Sequence, residues 1–149
     1  MNARISSHAA LSCLVLVGAC GDGGTGPDPN GLIGDWQATK FEVVTTASPS
    51  ATFELVALGG SMSAELNADK TYRLTTRFPG DPDEVVTGTW SSTSHVLTIQ
   101  YNGQSSVSLQ FDWTLSGNIL TLRGAAGVFD FDGDGFDDDA MLNLVLVRQ

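Results

Sequence analysis

The sequence predicts an all-β fold, in which eight or nine short antiparallel strands run up and down and close into a barrel. From Leu32 onward, apolar residues recur at every second position in short runs, and no stretch has helical periodicity. Each run pairs an apolar face with a face rich in serine and threonine, so one side of the sheet is buried. Closing the sheet removes its exposed edges, which favours a barrel over the alternative, a two-sheet sandwich.

The strands follow from the alternation, and glycine, proline, asparagine and aspartate mark the turns between them. The longest alternation is the seventh run, with five apolar residues in phase. Asn102-Gly103 predicts a two-residue type I′ hairpin, in which both residues have positive φ. The predicted strands are 36–44, 52–58, 61–66, 71–78, 84–91, 95–101, 107–115, 119–122 and 140–147.

Composition limits the classes of function. The chain has 149 residues, 17 acidic and 7 basic side chains and a formal net charge of −10. This length favours a single domain, and the acidity excludes a nucleic-acid binder, because phosphate contacts need clustered lysine and arginine. The sequence contains no G-x-S-x-G, no H-E-x-x-H and no phosphate-binding loop. We therefore expect a protein that is not an enzyme.

The first residues are typical of an export signal. Arg4 precedes a mostly apolar run at 9–19 that is too short to span a bilayer. Val17-Gly18-Ala19-Cys20 resembles the lipobox of bacterial lipoproteins, although a plain secretory signal with an incidental cysteine is the alternative. The resemblance implies removal of residues 1–19 and acylation of Cys20 by chains such as palmitate, because one chain alone holds a protein only marginally.

Residues 20–31 are rich in glycine and proline and predict a flexible tether to the membrane. Gly21, rather than aspartate, follows the cysteine, which favours the outer membrane over the inner membrane by the sorting rule of such lipoproteins. The expected location is the bacterial cell envelope, with the folded domain at 32–149.

A G-x-W sequence, Gly34-Asp35-Trp36, opens the first strand. Together with the phrases at 66–72, 88–91 and 115–122, it resembles the lipocalins and the lipocalin-like domains of bacterial lipoproteins, over about 32–149. The resemblance implies that Trp36 closes one end of the barrel and that a basic residue near the end of the chain, Arg148, packs across it. The chain departs from true lipocalins in lacking a C-terminal helix and a disulfide pair.

Residues 130–138 fit the pattern D-x-D-x-D-G-x-x-D. Calcium takes six to eight oxygen ligands, and carboxylates at alternate loop positions converge on one point. The predicted ligands are Asp130, Asp132, Asp134, the carbonyl of Phe136 and Asp138. Met141 stands where an EF-hand has its bidentate glutamate, so the segment looks like the shorter calcium loops of integrin-type propellers and thrombospondin repeats, and a weak site is expected. A solvated acidic loop is the alternative.

These features predict a monomeric, lipid-anchored binding module that holds a small apolar ligand or contacts an envelope protein. Four inward-facing aromatic residues are the candidate lining of a ligand site, with core packing as their alternative role: Tyr72, Trp90, Phe111 and Trp113. The rival hypothesis is a structural or inhibitory lipoprotein with a filled barrel that acts on a protein partner through its loops. The volume of the barrel interior distinguishes the two hypotheses.

Overall fold

The computed structural model describes residues 28–47, 50–103 and 108–149. The predicted signal peptide, Cys20 and residues 21–27 of the predicted tether lie outside the described residues. One short 3₁₀ helix, Pro29–Leu32, precedes nine strands. The strands are β1 Gly34–Thr45, β2 Thr52–Glu54, β3 Ser61–Leu66, β4 Thr71–Arg77, β5 Glu84–Ser92, β6 Val96–Tyr101, β7 Ser108–Ser116, β8 Ile119–Phe129 and β9 Asp138–Arg148.

Eight of the strands close into an antiparallel barrel. Each of β3 to β8 pairs with the next strand in sequence, β3 also pairs with β1, and β1 pairs with β9. Residues 34–37 of β1 pair with β3, while residues 42–44 of β1 pair with the short additional strand β2. The predicted all-β, up-and-down barrel of eight to nine strands is therefore confirmed.

Alternating residues of these strands fill the interior, as the period-two pattern requires. In β5, for example, Gly88 and Trp90 are buried between exposed neighbours. The core is almost entirely aliphatic and aromatic, and Thr45 is the one buried polar residue among those described. Burial of apolar surface on this scale is the main stabilising term of the fold.

Two β-bulges interrupt the alternation on either side of β9. The register of β1 against β9 shifts between Ala38 and Lys40, which leaves Thr39 as the extra residue. The register of β8 shifts between Arg123 and Ala125, where Gly124 has a φ of 80°. Each bulge changes which residues of the strand point inward and increases the local twist.

The barrel has two different ends, because successive strands run in opposite directions. The 3₁₀ helix, the turn at 67–70, residues 93–95 and the two-residue turn at 117–118 lie at one end, which we name the closed end. The connections that follow β1, β4 and β8 lie at the other end, named the open end. Among the residues that the structure describes, no helix is long and apolar enough to cross a membrane.

Three details of the strand prediction were wrong. The predicted strand 52–58 ends at Glu54, because the carboxylate of Glu54 accepts hydrogen bonds from the amides of Phe41 (2.8 Å) and Ala57 (2.5 Å) and the chain then turns. The strand predicted at 119–122 continues to residue 129, since the bulge at Gly124 shifts the alternation without ending the strand.

The third detail concerns the hairpin between β6 and β7. Gly103 has a φ of 82°, but Asn102 does not have positive φ, so the predicted type I′ turn is wrong. The strands nevertheless pair, with Gln100 opposite Ser108, and the connection is longer than two residues. Val107, predicted to begin the strand, lies outside the described residues.

Candidate functional site

Three tryptophans close one end of the barrel by the same device. Each indole N–H donates to a backbone carbonyl of the segment that covers that end: Trp36 to Leu32 (2.9 Å), Trp90 to Asn67 (3.1 Å) and Trp113 to Thr93 (3.0 Å). All three side chains are buried. A buried indole N–H needs a partner, so each bond fixes the position of both the ring and the covering segment.

Two cations cover these rings from outside. Arg148 Cζ lies 4.3 Å from the ring centroid of Trp36, and Lys70 Nζ lies 3.8 Å from the ring centroid of Trp90. Arg148 also donates to the carbonyls of Ile33 (2.7 Å) and Gly31. It therefore joins the end of β9 to the segment before β1. Residues 29–31 of that segment, the last part of the predicted tether, belong to the 3₁₀ helix.

Above the tryptophans lies a cavity of about 270 Å³. Its wall is aliphatic and aromatic from Trp36 at the closed end up to Phe41 and Phe78 at the open end. Among the residues that the structure describes, three polar side chains contribute to the wall, all near the open end: Thr76, Glu84 and Tyr101. For comparison, a wholly apolar cavity of about 150 Å³ is large enough to hold benzene.

The four aromatic residues that the sequence predicted as the lining of a ligand site do not all lie on the cavity wall. Phe111 lies on the cavity wall, whereas Tyr72, Trp90 and Trp113 do not. All four point inward and are buried. The indoles of Trp90 and Trp113 are bonded to segments of the closed end, and Tyr72 packs over Gly88, where a side chain would collide with its ring.

Tyr72 and Tyr101 are chemically unusual among the interior side chains. The hydroxyl of Tyr72 is buried and has no hydrogen-bond partner among the described residues. Burial, and secondarily the neighbouring Tyr101, raises the pKa of Tyr72 to about 12. Burial, and then the negative charge of Glu84, raises the pKa of Tyr101. Both phenols are therefore neutral at physiological pH.

Glu84 was not singled out in the sequence, although a signal for it was present. It lies in β5 in phase with Val86, Gly88 and Trp90, so the alternation already directs it inward. It is the only charged side chain on the cavity wall within the described part of the chain. Glu84 is the first residue of β5 and lies at the open end, so its carboxylate is at the mouth of the cavity.

The acidic loop joins β8 to β9 at the open end. Carboxylate oxygens of Asp130, Asp132 and Asp134 lie within 4.8 Å of one another. Asp138 is instead the first residue of β9, opposite Phe129, and lies outside this cluster, while Phe136 is 77% exposed. The structure thus brings together three of the four carboxylates that the sequence predicted as ligands.

Backbone amides hold the three carboxylates in place. Asp130 accepts from Gly133 (2.7 Å) and Gly135 (3.0 Å), Asp132 accepts from the amide of Asp134 (3.1 Å), and Asp134 accepts from the amide of Phe136 (2.8 Å). Oxygens on opposite sides of one calcium ion lie about 4.6–5.2 Å apart. The spacing of the three oxygens therefore fits a single ion of that size.

A row of phenylalanines links this loop to the cavity, a feature that the sequence did not indicate. Ring centroids are 5.0 Å apart for Phe131 and Phe129, 4.8 Å for Phe129 and Phe53, and 6.3 Å for Phe53 and Phe78. Phe131 lies inside the acidic loop, and Phe78 lies on the cavity wall. Aromatic pairs at these separations attract one another beyond simple burial.

The comparison with protein families agrees with this architecture. The model of the lipocalin-like domain family matches residues 32–122, more than half of the chain. The chain belongs to the lipocalin-like domain family. The match begins just before the G-x-W of this lipocalin-like domain and ends inside β8, so the acidic loop and β9 lie beyond it. No curated protein matches the chain.

The family assignment bears on the class of function. A lipocalin-like barrel is consistent with a ligand-binding module, and the fold is typically used for binding rather than for catalysis. Function is nevertheless decided by the site and not by the fold. In this lipocalin-like domain the interior cavity is the candidate site with a predominantly apolar wall.

Proposed function

We propose that this protein is a lipid-anchored binding module of the bacterial cell envelope that holds one small apolar ligand inside its barrel. One observation carries the proposal: the cavity of about 270 Å³, with an apolar wall and its polar side chains confined to the mouth. That volume is close to the lower end of the range for ligand pockets, about 300–1,000 Å³. It favours ligand binding over the rival hypothesis of a filled barrel acting only through its loops.

One test measures the binding of an environment-sensitive apolar dye. A second test uses native mass spectrometry to look for a small molecule retained by the purified protein. Ala64 lies on the cavity wall and is 5% exposed, so Ala64→Leu fills part of the space that the ligand needs. The larger side chain competes with the dye for this space, so dye affinity should fall by about tenfold, which corresponds to about 1.4 kcal/mol.

The matched control is Ala126→Leu, the same change at an exposed position of β8. It should leave dye affinity unchanged. If the dye fails to bind, or if both variants bind it as well as the natural protein does, the cavity is not the ligand site and the filled-barrel hypothesis takes its place.

The anchor and the location are tested separately. If Cys20 is acylated, the protein will fractionate with membranes and its intact mass will include the lipid, while Cys20→Ala will lose both properties. A matched Cys13→Ala variant should change neither, because residue 13 lies within the predicted signal peptide. A soluble natural protein of unmodified mass would contradict the proposal of a lipid anchor.

We also propose that the acidic loop binds one calcium ion weakly, supported by the fit of Asp130, Asp132 and Asp134 to its radius. The ion would offset two of the three negative charges in the cluster and hold the loop against the barrel. The missing bidentate glutamate places the expected Kd in the range of extracellular modules, roughly 0.1–1 mM. Isothermal titration should show this binding, Asp132→Asn should abolish it, and Asp137→Asn should leave it. No heat at millimolar calcium would contradict the proposal.

A further inference from the structure

The mouth of the cavity carries a negative charge, whereas the rest of the cavity wall is predominantly apolar. Glu84 contributes the only charged side chain to the wall within the described residues. It is exposed, and its carboxylate makes no hydrogen bond or ion pair within the described part of the chain. Its carboxylate is therefore free to meet a ligand that fills the cavity and reaches the mouth.

The nearest basic residue in sequence does not neutralise this charge. Arg77, at the end of β4, is already bound to Asp83, with Nε and Oδ1 2.5 Å apart. Their hydrogen bond lowers the pKa of Asp83 and raises the pKa of Arg77, so both partners keep their charges. The pair is internally balanced, which leaves the carboxylate of Glu84 as the uncompensated charge at the cavity mouth.

The surroundings add to the negative potential. The described segments of the open end, 46–47, 50–60, 77–84, 101–103 and 129–139, contain ten acidic residues and one basic residue, Arg77. At the closed end, by contrast, Lys70 and Arg148 cover the tryptophans. A cleft with one sign of charge and low-dielectric walls concentrates its field at the mouth and attracts ions of the opposite sign.

We propose that the cavity selects cationic amphiphiles: ligands with an apolar body that enters the barrel and an amine or quaternary ammonium group that stops at Glu84. This inference rests on the proposed function and narrows it. Tyr101 lies beside Glu84 on the wall and supplies a neutral phenol to the same head group. An anionic amphiphile such as a fatty acid would bring a second negative charge to the same place, which is unfavourable.

The experiment compares three probes with the same eight-carbon chain, octylammonium, octanol and octanoate, by calorimetry at low salt and pH 7. The expected order of affinity is octylammonium, then octanol, then octanoate, with about a tenfold difference between the two ions. Glu84→Gln should weaken octylammonium binding by about threefold and leave octanol unchanged. High salt should reduce the preference in the same way, because exposed charges are screened.

The matched control is Glu65→Gln, which removes the same charge from an exposed position of β3 near the closed end. It should leave all three affinities unchanged. If the three probes bind equally, or if Glu84→Gln and Glu65→Gln behave alike, the charge selectivity is overturned while the cavity remains a binding site. If none of the three binds, the proposed function itself fails, and this inference with it.

Discussion

The closed end of the barrel depends on Arg148, and its removal gives a direct measure of how that end is held. The guanidinium donates to two carbonyls of the segment before β1 and stacks on Trp36, with Cζ 4.3 Å from the ring centroid. Gly34 leaves the space for it: Gly34 has a φ of 141°, and a side chain there would collide with the guanidinium.

The magnitude follows from these contacts. A hydrogen bond to a charged group contributes about 1.5–3 kcal/mol, and a cation–π contact about 0.5–2 kcal/mol. Both carbonyls are only partly buried, so water replaces part of each bond, and we expect Arg148→Ala to lower the free energy of unfolding by about 2–4 kcal/mol. The corresponding fall in Tm is roughly 5–15 °C. Arg148→Lys should lose about half as much, because lysine keeps the charge but not the planar fork.

The assay is urea denaturation followed by circular dichroism, since the substitution alters tryptophan fluorescence directly. Arg123→Ala is the matched control, because Arg123 is exposed on β8 and makes no ion pair or side-chain hydrogen bond within the described residues. It should change stability by less than about 0.5 kcal/mol. If Arg148→Ala is as stable as Arg123→Ala, the guanidinium does not hold the closed end and the reasoning is refuted.

Three further predictions concern the interior. Tyr72→Phe should stabilise the protein by about 1 kcal/mol in urea denaturation, because it removes a buried hydroxyl without a described partner; a loss of stability would indicate an unseen hydrogen bond. Burial raises the pKa of Tyr72 to about 12, so the unfolded phenol, with a pKa near 10, ionises first. Stability should therefore fall as the pH rises from about 10 to about 12, and less steeply in Tyr72→Phe. Gly88→Ala should cost about 1–3 kcal/mol in the same assay, because its Cβ would collide with the Gln100 carbonyl and the Tyr72 ring, whereas Gly103→Ala, in open space, serves as the strain-only control.

Alternation in the sequence predicts the strands because it records which side of the sheet is buried. It loses information where the register shifts. The bulges at Thr39 and Gly124 each add one residue, so the apolar phase changes within a continuous strand. Alternation also does not reveal interactions between separate segments of the chain. One example is the hydrogen bond from the amide of Phe41 to Glu54, which helps to end β2.

The sequence predicts which side chains point into the barrel, but not how far along the barrel axis each one lies. Alternation correctly points Trp90, Phe111 and Trp113 inward, yet only Phe111 reaches the cavity. Height along the barrel axis depends on the tilt and stagger of the strands, which are properties of the closed sheet and not of any one run of residues. The same alternation directs Glu84 inward, and its place at the mouth becomes apparent only once the ends of the strands are assigned.

The pairing of β1 with β9 also determines how the molecule assembles. The other ladders of the barrel join strands that are neighbours or near neighbours in sequence. The β1–β9 ladder has nine residue pairs, and one of them places Trp36 opposite Arg148. Leu142, Leu144 and Leu146 of β9 form part of the cavity wall. Local hairpins alone therefore produce an open sheet without an interior. The cavity is enclosed only because β1 pairs with β9, the pairing with the greatest sequence separation in the barrel and therefore the greatest cost in loop-closure entropy.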